Sequence, residues 1–461
     1  MAAKRFSIYT LGCKLNFAEG TTLGRSLQKA GMAEVAYGQV ADYLIVNTCS
    51  VTDHADRKCK KVVREGLRNS PAAQVIIVGC YAQLKPKEIL EIPGVNLVLG
   101  AQEKFNLASH IATLQPHEKR AFVDDVAITQ LYQSSYSATE RTRAFLKVQD
   151  GCDYTCSFCT IPLARGASRS NTIAKAVEEA EALAHSGIRE IVLTGVNLGD
   201  FGAQPGQKLG VDRPETFLML AKALDDIDAD VRFRISSIEP NLLSDQVIAF
   251  VSTSKRFARH FHIPLQSGSN TILASMRRRY RRELYESRIA LIKQLMPDCC
   301  IGVDVIVGYP GETQALFDES KAFIESLNVD YLHVFPYSER QNTLAKTLGN
   351  KVQDRHRNNR VAELNLLSAK KKAAFYQSQI GTTHQVIFEE QQEGNQMFGF
   401  SENYVKVAAD YNPLHIGERI LCQLIQQNPD SVLGEILDSI SDHHSYRSDS
   451  IGSNLEALLA G

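Results

Sequence analysis

Short apolar runs at 6–11, 42–48, 74–79 and 95–99 alternate with segments whose apolar residues return at helical spacing, notably 22–30 and 55–67. Runs of this length bounded by turn residues predict buried strands, and strands alternating with helices predict an open parallel sheet. A polar stretch at 117–142 reads as a linker. After it the alternation resumes, with strands predicted at 144–149, 190–194, 231–236, 260–265, 301–308 and 331–335, and helices between them such as 174–185 and 215–224. Six β/α units predict a partial (β/α)6 barrel rather than a closed eight-stranded one. The pattern over 346–379 is helical and basic; past Gly381 it changes to short runs at 384–388, 404–408, 419–424 and 431–436. Those runs predict a small antiparallel β-barrel. The chain is expected to be α/β, with folded units at 1–116, 143–375 and 376–440 and a tail, 441–461, that receives no assignment.

Composition adds two constraints. The formal net charge of the 461 residues is −1, so any nucleic-acid contact must come from local basic patches rather than overall charge. Two patches qualify: Met276-Arg277-Arg278-Arg279-Tyr280-Arg281-Arg282, and residues 351–372 with Lys370-Lys371-Lys372. In the last unit Phe398, Phe400 and Tyr404 are candidates for base stacking, against the commoner role of aromatics as core. No apolar stretch approaches the roughly 20 residues of a membrane span, and the N-terminal apolar run is too short for a secretory segment. A cytoplasmic protein with no membrane partner is expected.

Ten cysteines are too few for a disulfide scaffold in a chain this long. Cys152, Cys156 and Cys159 form a C-x3-C-x2-C run directly after a predicted strand. Three thiolates at this spacing wrap one corner of a [4Fe–4S] cubane and leave its fourth iron open. An open iron can take the amino and carboxylate groups of S-adenosylmethionine (SAM), whose reductive cleavage yields a 5′-deoxyadenosyl radical. A zinc site would need a fourth Cys or His nearby, and His185 is the next His, about 26 residues on along a predicted helix. Cys13, Cys49 and Cys80 lie far apart in sequence, but each falls just beyond a predicted strand, at one edge of the parallel sheet. Ordinary loop or core thiols are the alternative there. Cys299, Cys300 and Cys422 fit neither pattern, and Cys59, on a predicted helix, reads as a structural thiol.

The C-x3-C-x2-C run with Phe158 before its last Cys resembles the signature of the radical SAM superfamily. The resemblance implies SAM contacts at successive strand ends: Thr194, Gly195 and Asn197 after the second strand, Ser237 and Glu239 after the third, Gln266, and Ile306 and Gly308 in Val305-Ile306-Val307-Gly308-Tyr309-Pro310-Gly311-Glu312. Thr10-Leu11-Gly12-Cys13-Lys14-Leu15-Asn16, Asn47-Thr48-Cys49 and Gly79-Cys80 resemble the N-terminal domain of the methylthiotransferases. That resemblance, spanning about 5–440, implies a second [4Fe–4S] cluster on Cys13, Cys49 and Cys80, a central radical SAM domain and a TRAM-like RNA-binding β-barrel.

TLGCKLN is closest in form to the branch acting on N6-threonylcarbamoyladenosine (t6A) at position 37 of tRNA, beside the anticodon. The implied reaction is methylthiolation of C2 of that base, with SAM, a low-potential electron donor and a sulfur donor as further partners. No side chain is assigned as a general base. The alternatives are an isopentenyladenosine-37 or ribosomal-protein aspartate methylthiotransferase and, in another class, a non-catalytic iron–sulfur RNA-binding protein.

Overall fold

Strands covered on both faces read as continuous apolar runs, and Tyr43–Thr48, Gln74–Gly79 and Val95–Leu99 sit side by side in the first sheet. The computed structural model describes residues 3–49, 53–115, 117–126, 131–137, 142–204 and 213–437. In it this sheet has six parallel strands, with Arg5–Thr10 beside Tyr43–Thr48 and two short edges, Ala33–Glu34 and Arg120–Phe122. The pairs Thr10↔Asn47 and Thr48↔Gly79 bring the carboxyl ends of three strands level. Helix α1 (Lys14–Lys29) follows the first of them.

The central unit holds two three-stranded parallel arrays, Arg143–Lys147, Glu190–Thr194, Arg232–Ile235 and then His260–His262, Cys300–Val307, Tyr331–Pro336. A bridge between Phe233 and Phe257 joins the two arrays. Outward residues such as Leu146, Ile191, Leu193, Phe233, Val303 and Val305 form one apolar core under the surrounding helices. These are the six strands of a partial barrel.

Residues 117–142 are more than a linker. Arg120–Phe122 extends the first sheet, and Ser135–Tyr136 pairs antiparallel with Arg143–Lys147. Edges of two or three residues are too short to show a periodicity, so the sequence pattern missed them.

The last unit is a closed barrel of five strands: Thr383–Glu393, Gln396–Ser401, Lys406–Asp410, Val432–Ile436 and Arg419–Gln427. The strand at 396–401 was not expected. It alternates buried and half-buried residues, and its Gly399 lies so close to the Ile387 backbone that a side chain would clash there. One ladder, between Lys406–Asp410 and Val432–Ile436, runs parallel, so the barrel is not purely antiparallel. It docks where the central strands begin: Arg232 donates to the carbonyls of Gln385 and Phe400, and Arg234 to those of Ser401 and Glu402. Tyr404 stacks on His260 and on Phe400, with ring centroids 4.3 and 4.9 Å apart. Two of the three stacking candidates are therefore used in this junction, while Phe398 lies under the Lys406 ammonium.

Among the described residues no helix is long and apolar enough to cross a membrane. The tail, 441–461, lies outside the described residues.

Candidate active site

The level strand ends of the first sheet gather Cys13, Cys49 and Cys80. Cys13 is the N-cap of α1 without using its sulfur to cap it, and Cys80 opens the next helix. Glycine is required beside both: Gly12 has φ +101°, and a Cβ there would stand 2.9 Å from Cys49 Sγ; Gly79 has φ +99°, and a Cβ would stand 2.5 Å from the Thr48 carbonyl oxygen. Asn16 donates to the carbonyls of Leu11 and Thr48 at 2.8 and 2.9 Å, tying the two loops together. Cys13 has accessible surface, yet burial is the largest influence raising its pKa. Gly12→Ala forces a left-handed backbone on a residue with a Cβ, costing about 1–2 kcal/mol, and pushes that Cβ into Cys49. Iron content of the purified protein is expected to fall by about half, as read by a colorimetric iron assay.

Cys152, Cys156 and Cys159 occupy a loop clamped at several points. Gly151 at φ +70° packs against the Ala167 carbonyl. Ser157 Oγ donates to the Ser275 carbonyl at 2.9 Å and lies 2.7 Å from the Tyr309 hydroxyl, while its own carbonyl accepts from Ala345 N. Burial pushes the Cys159 thiol up to about 12 and raises Cys152 as well. Free thiols in such surroundings are poor nucleophiles at neutral pH, whereas coordination to a metal deprotonates them outright. Among the described residues no three His, Cys, Asp or Glu side chains stand close enough to hold a single metal ion. A cubane, which takes one ligand per corner, spreads its thiolates wider than one ion does.

A buried ion network joins the two thiol groups. Glu19 of α1 bonds Lys104 at 2.6 Å, Lys147 at 2.9 Å and Arg165 at 3.0 Å; Asp150 bonds Lys147 at 2.7 Å, Arg165 at 2.9 Å and Arg169 at 3.1 Å. Burial alone would raise the Glu19 carboxyl, but Arg165, Lys104 and Lys147 hold it well below the usual carboxylate range. Four cations face two carboxylates. Arg165 also bonds Asn16 Oδ1 at 2.8 Å and feels Cys80 and Cys13, so the excess positive charge borders the first thiol group. Ionised, metal-bound sulfurs would balance it.

The expected SAM residues line the strand ends. Thr194 ends its strand with Oγ1 buried and unpartnered, and both side-chain atoms of Asn197 are in the same state. Asn197 N donates to Gln149 Oε1 at 2.8 Å, and Gly195 packs on that same side chain. Gln266 has φ +67°, bridges Val305, and leaves Oε1 buried and unpartnered. Ser237 is half-buried just past its strand. Phe158 and Ile306 flank one small apolar cluster with Met276 and Tyr309. Gly308 at φ +75° donates its N–H to Glu312 Oε2 at 2.5 Å, and a Cβ there would collide with Arg357. Orphaned polar atoms beyond two of the barrel strands fit a ligand rich in amino, carboxylate and hydroxyl groups.

Met276-x-Arg278-x-Tyr280 resembles a family motif that implies an active-site role for part of this run, and the structure turns Arg278 inward although it sits inside an apparent surface patch. Its guanidinium is 3.2 Å from Cys156 Sγ and pairs with Glu239. Tyr280 donates to the carbonyls of Pro264 and Leu265, and Arg282 pairs with Glu319 at 2.7 Å. Only Arg277, Arg279 and Arg281 of this run are exposed. The second patch is also partly consumed: Arg360 pairs with Glu312 at 2.7 Å, and Lys371 caps the Leu327 carbonyl. Cys59, Cys299, Cys300 and Cys422 are buried away from both thiol groups in apolar packing.

Residues 146–324 match the Radical SAM superfamily, and residues 5–100 match a family described as Uncharacterized protein family UPF0004. Over 451 residues the chain is 35% identical to the threonylcarbamoyladenosine tRNA methylthiotransferase MtaB of Bacillus subtilis, covering 95% of this chain and 98% of that one. The chain belongs to the threonylcarbamoyladenosine tRNA methylthiotransferase family. A tRNA-2-methylthio-N(6)-dimethylallyladenosine synthase of Desulfotalea psychrophila is 29% identical to this methylthiotransferase over 95% of its length and all of the relative's. Among solved structures, the radical SAM methyltransferase TsrM of Kitasatospora setae superposes with TM-score 0.53 at 14% identity, over 75% of this chain and 74% of that one. That likeness is one of fold.

Proposed function

We infer that this radical SAM enzyme attaches a methylthio group to C2 of N6-threonylcarbamoyladenosine at position 37 of tRNA, using SAM and two [4Fe–4S] clusters. The observation that carries the reading is the pairing of two three-cysteine groups on facing strand ends, joined by one buried ion network, in a chain 35% identical end to end to a named t6A methylthiotransferase. Cys152, Cys156 and Cys159 hold the cluster that faces SAM, and Cys13, Cys49 and Cys80 hold the other. Bound there, the clusters and SAM supply the radical chemistry and the carried sulfur that the reaction needs.

The chain's own side chains orient these groups. Thr194, Asn197 and Gln266 offer unpartnered polar atoms to the SAM amino, carboxylate and ribose groups. Glu239 is fixed by Arg278, which also donates toward Cys156 and stabilises its thiolate form. A low-potential electron donor and a sulfur donor complete the partners, and the exposed Arg277, Arg279 and Arg281 offer phosphate contacts to the tRNA.

The test uses purified holoenzyme, reductant, SAM and sulfide with anticodon stem-loop RNAs carrying t6A or isopentenyladenosine. A methylthio product on the t6A RNA alone is expected by nucleoside mass spectrometry. Product on the isopentenyladenosine RNA alone overturns the substrate, and product on neither overturns the activity.

A further inference from the structure

Alternation along the barrel strands sends one set of side chains outward to the apolar core and the other inward to the lumen. In the first array the inward side is packed, because α1 of the first unit lays Phe17 and Ala18 against Phe145 and Val192. In the second array Phe261, Val303, Val305, Leu332 and Val334 go outward into the core. The inward set is His262, Asp304, Ile306, His333 and Phe335, and none of these is fully buried.

This second wall is closed at one end only. Where the small barrel docks, His260 Nε2 lies 2.9 Å from the Tyr331 hydroxyl and its ring stacks on Tyr404. At the other end Ile306 joins Phe158 of the cysteine loop in one apolar cluster, beside the expected SAM contacts. Between the two ends His262 Nε2 lies 2.9 Å from Asp304 Oδ1, and the His262 and His333 ring centroids are 5.3 Å apart. The register pairs Asp304 with His333 and Ile306 with Phe335. Phe335 therefore stands one strand beyond Ile306, on Tyr331–Pro336, the edge of its array.

Several groups on this wall are unused. Phe335 is 45% exposed and makes no ring contact among the described residues. The His333 ring touches those of His262 and Tyr331, but among the described residues neither of its nitrogens has a hydrogen bond, and neither does Asp304 Oδ2. RNA bases taken out of their stack are held in this way, by an aromatic face for the ring and polar groups for its edges. The proposed substrate fits the pair. Its C2 must come within about 3–3.5 Å of the reacting carbon of SAM, which places the ring beside Ile306. Its N6 arm, a urea-linked threonine, carries N–H and O–H donors and carbonyl and carboxylate acceptors. His333 and Phe335 are two residues apart on one strand face, about 7 Å, the separation of a base and its arm. An isopentenyl arm would leave the polar groups of this wall without partners, which is costly.

We propose that Phe335 stacks on the adenine ring of the target nucleoside and that His333, beside the His262–Asp304 pair, hydrogen-bonds its polar N6 arm, so that this wall positions C2 and selects t6A over adenosines with an apolar arm. The proposal rests on the t6A reading above.

The test uses holoenzyme and three anticodon stem-loop RNAs that differ only at position 37: adenosine, t6A and isopentenyladenosine. Binding is read by fluorescence anisotropy, and turnover of the t6A RNA by KM and kcat. Wild type is expected to bind the t6A RNA about fivefold more tightly than the other two. Stacking of a base on an aromatic side chain is worth about tenfold. Phe335→Ala should therefore weaken the t6A and adenosine RNAs alike, by about tenfold, while Phe335→Tyr stays close to wild type. His333→Leu should weaken the t6A RNA alone, by about fivefold, and raise its KM. A residue that merely supported the fold would not separate the two RNAs. Iron content and Tm check that each variant is assembled; where one is not, Phe335→Leu or His333→Ala takes its place. Equal wild-type affinity for the three RNAs, full affinity in Phe335→Ala, or a t6A preference that survives His333→Leu overturns the proposal while leaving the enzyme a t6A methylthiotransferase. Absence of methylthio product from wild type and the t6A RNA overturns the reading beneath it.

Discussion

Cys156→Ala abolishes reductive cleavage of SAM, whereas Cys49→Ala leaves cleavage running and stops methylthiolation. The difference follows from where the two thiols stand. Cys156 belongs to the loop after the first barrel strand, 3.2 Å from Arg278 and next to the strand ends bearing unpartnered polar atoms. Losing one of three ligands there removes the site that activates SAM. Cys49 ends a strand of the other sheet, against Gly12, and contributes nothing to the SAM-facing loop. Anaerobic assays reading 5′-deoxyadenosine and the methylthio nucleoside separately are expected to give background levels of both for Cys156→Ala. For Cys49→Ala they should give 5′-deoxyadenosine with the nucleoside at background. Methylthio product from Cys49→Ala contradicts the two-cluster assignment.

The second large effect is on stability. Glu19→Gln leaves Lys104, Lys147 and Arg165 buried around a neutral amide, with only Asp150 to balance them. Removing one partner of a buried ion network typically costs about 3–5 kcal/mol, and the loss falls on the junction between the first two units. By contrast, Glu65→Gln breaks the exposed Lys61–Glu65 pair and should change stability by about 0.5 kcal/mol or less. Thermal unfolding of the two variants side by side measures the contrast; equal shifts would show that the Glu19 network is not what holds the units together. The pH dependence has a definite sign. The Glu19 carboxyl is held below its unfolded value of about 4.3, so its contribution is complete above that pH. It is lost as pH falls through the depressed folded value.

Much of this architecture was legible in the chain because it rests on apolar runs. Gln74–Gly79, Val95–Leu99 and Glu190–Thr194 lie where the alternation of runs and helical periods put them. The second thiol group could also be read, because a parallel sheet brings the carboxyl ends of its strands to one edge. What the chain concealed was pairing between distant segments. Nothing local to Glu19 or Asp150 shows that they share Lys147 and Arg165. Nor does the run of five arginines show that Arg278 turns inward to Cys156 while Arg277 and Arg279 stay outside. Tyr404, a plausible base-stacking residue in isolation, is committed to His260 of the central unit. Edge strands such as Arg120–Phe122 escaped because three residues carry no period.

The central claim is tested most directly by mass spectrometry of tRNA nucleosides from cells lacking this protein and from the same cells re-expressing it. The account predicts that 2-methylthio-N6-threonylcarbamoyladenosine disappears and returns, while its t6A precursor accumulates and falls. An unchanged level of that nucleoside, or loss of the isopentenyladenosine product instead, would contradict it.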